Sequence, residues 1–78
     1  MNTQSSAVKF GLTSQQAQCL AFIRKFVKRH PHSPSYREIA DGIGTKSMSQ
    51  ITHLVHALEQ RGHIARVSGA SRSLVVIP

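Results

Sequence analysis

The chain has 78 residues, with ten Lys or Arg against three Asp or Glu and a formal net charge of +7 when the histidines are neutral. This length makes one small domain. The single cysteine, Cys19, excludes an internal disulfide, no apolar run nears the roughly 18 residues that cross a bilayer, and the opening MNTQSSAVKFGL lacks the apolar core of a signal peptide. A cytoplasmic protein is therefore the default expectation, and the basic balance points to a polyanionic partner, nucleic acid ahead of an anionic membrane surface.

Residues 1–11 are small and polar and read as a flexible arm, with Lys9 as its only charge. Three stretches then open with the same local device. Thr13-x-x-Gln16, Ser35-x-x-Glu38 and Ser47-x-x-Gln50 each match the capping box. In that motif a hydroxyl accepts from the N3 backbone N–H, and the N3 side chain reaches back to the N-cap N–H. Helix 1 is predicted over about Ser14 to Arg29. Its apolar face is Cys19, Leu20, Phe22, Ile23, Phe26 and Val27, opposite Gln18, Arg24, Lys25 and Lys28. Leu12, just before the cap, is placed to staple against Ala17. Pro31 and Pro34 end the helix and hold HPHSP extended.

Helix 2 is short, from Tyr36 to Gly42 or Ile43, with Ile39, Ala40 and Ile43 inward. Gly44 sits where a chain leaving a helix uses positive φ. Helix 3 is predicted over about Met48 to Arg61, with Gly62 as its stop. The period then changes. HIARV (63–67) and SLVVI (73–77) are β-branched runs around a turn sequence, SGASR (68–72). Three helices, a tight turn between the second and third, and a hairpin describe a mainly α fold, the winged helix-turn-helix, over 12–78.

The third helix is unusual in charge. From Ser47 to Leu58 there is none. Ile51, Leu54, Val55 and Leu58 form one apolar stripe, and the opposite face holds Ser49, Gln50, Thr52, His53 and His56. A merely solvated face more often carries i, i+4 ion pairs. In a helix-turn-helix the second helix of the motif puts its N-terminal part against base edges in the major groove. On that geometry Ser47, Ser49, Gln50, Thr52, His53 and His56 are the expected base readers of double-stranded DNA. Gln50 suits adenine N6 and N7, and the Thr52 methyl suits thymine. Gln50 has two competing tasks, because it is also the N3 residue of a capping box. Cations surround this face: Arg37 on helix 2, Lys46 before helix 3, and Arg72 in the turn. These, with the hydroxyls of Ser35, Tyr36 and Ser71, are the expected phosphate contacts.

Other chemistries fit poorly. His30-x-His32 and His53-x-x-His56 are two-ligand pairs without a Cys or a nearby carboxylate, so no metal is expected. Of the three acids, Glu38 is assigned to a cap, and no nucleophile–base pair, phosphate loop or cofactor motif is present. Neither catalysis nor a cofactor is expected. Cys19, beside Leu20, reads as a small core residue.

The motifs LTSQQ (12–16), IR (23–24), REIADGIG (37–44), ALEQRGHI (57–64) and above all VSGASR (67–72) resemble the DNA-binding domain of LexA-type repressors. Those proteins govern the bacterial DNA-damage (SOS) response. The resemblance runs from residue 12 to 77 and implies the winged fold, a bacterial or phage source and a role in repression. It also implies a peptidase domain that dimerises the protein. This sequence holds the DNA-binding domain alone, so it is expected to be either an excised stand-alone domain or a naturally short regulator that forms a weak homodimer on a palindromic operator. Ser49 stands where the family has Asn, and Thr52 and His53 stand where it has acidic residues, so the expected operator differs from the family's. Phe26 replaces a usually polar residue. It either widens the core or, with Phe22, marks a contact to a protein partner. The competing reading is accordingly a winged-helix interaction module that modulates another repressor or RNA polymerase.

Overall fold

A computed structural model of the chain describes residues 12–67 and 74–77. The polypeptide forms α1 (Ser14–Arg29), α2 (Tyr36–Ile43), α3 (Met48–Gln60), β1 (Ile64–Arg66) and β2 (Leu74–Val76). The expected arm over 1–11 and the turn over 68–72 lie outside the described residues. The two strands pair antiparallel, with Ile64 opposite Val76, Ala65 opposite Val75 and Arg66 opposite Leu74. Ile77 N–H donates to His63 C=O at 2.9 Å, so the pairing runs past the strand ends. The architecture is the expected three-helix winged helix-turn-helix. The strands are shorter than the β-branched runs that predicted them.

Each helix start shows why the chain folds there. Thr13 Oγ1 accepts from Gln16 N–H at 3.1 Å, and Gln16 Oε1 accepts from Thr13 N–H at 3.1 Å. Ser35 and Glu38 make the same reciprocal pair at 3.1 and 2.8 Å. Ser47 does only half of it, and this corrects the expectation of a third complete box. Its Oγ accepts from Gln50 N–H at 3.2 Å, but the Gln50 side chain turns elsewhere.

The helix ends follow the same local logic. Gly44 takes φ 81°, and both Gly44 and Thr45 donate to Ala40 C=O, closing α2. Gly62 has φ 81° beyond α3, and His63 N–H returns to Leu58 C=O at 3.0 Å. Arg61, expected as the last helical residue, is the C-cap.

Packing joins the elements. α1 lies against both α2 and α3, and α3 carries β1. The core is Cys19, Leu20, Ile23, Ile39, Ala40, Ile51, Leu54, Val55, Leu58, Ile64 and Leu74. All four stripe residues of α3 are buried, each contributing about 1.5–3 kcal/mol relative to exposure. Leu12 packs on this core, and Ala17, its expected staple partner, is exposed.

The Phe22 ring lies directly on Gly42. A Cβ there would fall 2.1 Å from Phe22 Cε1, so the bare glycine backbone is what admits the ring. Phe26 does not widen the core. Its ring sits 4.1 Å from that of His30 and 5.6 Å from that of His32, bracing the loop after α1. Within that loop Ser33 and Pro34 are buried, and Ser33 Oγ accepts from Leu74 N–H at 3.0 Å. The wing is thereby tied to the α1–α2 connection.

Candidate nucleic-acid interface

Burial of the α3 stripe dictates what the opposite face presents. Ser47, Ser49, Thr52, His53 and His56 are exposed, and Gln50 is half-buried. The first turn of α3 contains no acidic residue. Its N-terminal partial positive charge is therefore not neutralised from within the helix. Of the three acids in the chain, Glu38 is consumed by the α2 cap, and Glu59 pairs with Arg66 at 3.9 Å.

The polar groups on this face are organised, not loose. Thr45 Oγ1 accepts from Ser47 N–H at 3.1 Å and donates to Gln50 Oε1 at 3.0 Å. Ser47 Oγ and Ser49 Oγ lie 3.2 Å apart. Thr52 Oγ1 donates to Met48 C=O at 3.1 Å, a back-bond that commits its hydroxyl proton. Among the described residues His53 and His56 have no hydrogen-bond partner. The residues expected at base edges thus share one surface, with the hydroxyls and Gln50 already tied into the helix start.

The expected phosphate contacts divide in two. Arg37 and Lys46 are exposed, and Ser35 and Tyr36 are half-buried at the start of α2. Ser71 and Arg72 lie outside the described residues. Tyr36 is not a lone hydroxyl. Arg66 Nη2 donates to its oxygen, and the guanidinium also stands 5.8 Å from the ring centroid. Hydrogen bonding to Tyr36 raises the Arg66 pKa further, so the cation is permanent.

Arg66 is the functional candidate that the sequence reading missed. Its contact spans 30 positions, and no local pattern encodes that. Thr45 was missed too, although a signal existed: a hydroxyl two residues before a helix N-cap is a common turn acceptor. Among the described residues no group of three or more His, Cys, Asp or Glu is arranged to hold a metal, and no helix is long and apolar enough to cross a membrane.

Comparison with known proteins identifies the family. The family model described as the LexA DNA binding domain matches residues 9–73. The LexA repressor of Pelagibacter ubique (strain HTCC1062) is 44% identical over 66 residues, covering 85% of this chain and 29% of that protein. The LexA repressor of Parafrankia sp. (strain EAN1pec) is 35% identical over 74 residues, covering 95% of this chain and 30% of its own length. That of Mycolicibacterium smegmatis is 37% identical over 70 residues, covering 90% and 29%. The chain thus spans less than a third of the length of these relatives. A match over nearly the whole chain, on a fold with three helices and a wing, makes this chain a member of the LexA DNA binding domain family.

Proposed function

We propose that this chain is the sequence-specific, double-stranded-DNA-binding part of a transcriptional repressor. α3 enters the major groove, while the start of α2 and the wing meet the backbone. One observation carries the reading: a helix face without charge, bearing hydroxyls, an amide and two imidazoles, has Arg37, Lys46 and Arg66 in the neighbouring elements. Hydrogen-bonding groups discriminate base edges, and cations serve phosphates.

On this reading Ser47, Ser49, Gln50, Thr52, His53 and His56 face bases. Ser35, Tyr36, Arg37, Lys46, Ser71 and Arg72 face phosphates, joined by Arg66. The Phe22 and Phe26 rings are occupied by Gly42 and the loop histidines, which weighs against their use on a protein partner. A monomer covers about half an operator, so the proposed complex is a homodimer on two half-sites about 10 bp apart, or a multiple of that spacing.

Selection of bound sites from a random duplex pool tests the proposal. The expected result is an enriched two-fold palindrome. With about four phosphates neutralised per domain, log K should fall with log salt at a slope of about −3.6. A pool without enrichment, or binding indifferent to salt, would overturn it and favour an interaction module.

A further inference from the structure

The start of α3 leaves Gln50 in an unusual position. It is the N3 residue of the helix, yet its side chain does not return to the Ser47 N–H as a capping box requires. Thr45 Oγ1 has taken that N–H instead, at 3.1 Å. A hydroxyl has one proton and two lone pairs. With a lone pair given to Ser47 N–H, the Thr45 proton is donated to Gln50 Oε1 at 3.0 Å. The carboxamide oxygen is thereby turned back toward the α2–α3 turn. Its nitrogen is on the opposite side of the same planar group. Among the described residues Nε2 has no acceptor.

We infer that Thr45 sets the hydrogen-bonding polarity of Gln50, so that Gln50 meets the major groove as a donor and selects guanine. This rests on the reading of α3 as a recognition helix. A glutamine free to present both ends of its amide pairs with adenine, donating to N7 and accepting from N6. Gln50 presents the N–H₂ end. Guanine offers two adjacent acceptors there, N7 and O6, whereas adenine places a donor beside its N7. Thr45 is thus a positioning residue. It touches no base and acts through the side chain that does.

The test is site selection from a random duplex pool with the wild-type chain and four variants, each first checked for folding by far-ultraviolet circular dichroism. The wild type should show one position where guanine exceeds adenine by about fivefold or more. Gln50→Ala should flatten that position. Thr45→Val keeps the shape of threonine but removes both its proton and the acceptor of the Ser47 N–H, so the Gln50 oxygen should turn back to cap that N–H and the guanine preference should flatten, with other positions unchanged. Thr45→Ser should restore the guanine preference. Gln50→Glu can still accept from Thr45 but presents an oxygen to the groove, so the preferred base should become cytosine, which offers N4–H₂.

A purely structural role for Thr45 would weaken binding evenly at every position, and that result would overturn the inference. So would adenine at the Gln50-dependent position in the wild type, or a guanine preference that survives Thr45→Val. If Thr45→Val does not fold, the Gln50→Glu switch decides. No enrichment by the wild type would remove the parent reading itself, which sets that failure apart from the loss of this one.

Discussion

The starts of α2 and α3 use the same first residue and end differently. α2 closes on itself: Ser35 and Glu38 satisfy each other's backbone N–H groups, and a carboxylate sits on the positive end of the helix. α3 keeps the Ser47 arm but not the return arm, has no acid in its first turn, and gives its N3 side chain to Thr45. A closed start spends its polar groups on stability. The open one has the same two N–H groups satisfied, but by the neutral hydroxyls of Thr45 and Ser47, so what it leaves for a ligand is its positive potential and the amide nitrogen of Gln50. Within one small domain the two starts thus differ in charge: α2 carries a carboxylate at its positive end and α3 carries none.

The largest effect should come from giving α3 the acid that α2 has. In Ser49→Glu the helix itself is favoured by about 0.3–1 kcal/mol through the dipole. DNA affinity is nonetheless expected to fall more than about tenfold near 0.1 M salt, and the loss should shrink as salt screens the repulsion. Fluorescence anisotropy over a salt series and thermal unfolding would show the two opposite signs together. Equal losses in both would mean that the open start has no anion-facing role. Next in size, Arg37→Ala combined with Lys46→Ala removes two proposed phosphate contacts. The salt slope should become shallower by about 1.8 while the selected sequence stays the same. An unchanged slope would place both cations off the DNA.

A third pair of variants separates the starts by stability alone. Glu38→Ala leaves the Ser35 N–H without its acceptor and removes a charge from the helix start, at a cost of about 1 kcal/mol. Gln50→Ala takes no acceptor from the backbone, since Thr45 serves the Ser47 N–H, and alanine is the better helix former. Its change should stay within about 0.5 kcal/mol. Urea unfolding of both variants measures the difference. A Gln50 loss as large as the Glu38 loss would mean that the two N3 side chains do the same work.

How much of this was legible depends on the range of the interaction. The helices were readable because caps and a 3.6-residue period are local. α1 begins and ends where the Thr13 box and Pro31 require, and α3 buries the four residues of its stripe. The α3 face was readable as the complement of that stripe. The ties that set the wing were not. Ser33 reaches Leu74 across 41 positions, and Arg66 reaches Tyr36 across 30. Such pairs exist only once the chain has packed, and neither residue type announces them. Gln50 failed for another reason. The capping-box pattern was present, but a better-placed hydroxyl at Thr45 competed for the same N–H, and a pattern match cannot rank two acceptors.

The last effect appears only at alkaline pH, in the core that supports both starts. Cys19 on α1 is fully buried in the cluster formed with α2 and α3, and burial pushes its thiol from an ordinary 9.0 up to about 11. The folded state therefore holds this proton where the unfolded chain releases it. Stability from the neutral thiol is complete below about pH 9 and declines as pH rises to about 11, with a total of no more than about 2–3 kcal/mol. Because α2 and α3 pack on the same core, both starts should weaken together. Thermal unfolding from pH 8 to 11 should show a steeper decline for the wild type than for Cys19→Ala, which lacks the titrating group. The buried thiol should also react with a thiol reagent only as fast as the domain opens. A rapid reaction at pH 8, or identical pH slopes for the two proteins, would mean that the thiol lies outside the core shared by the two starts.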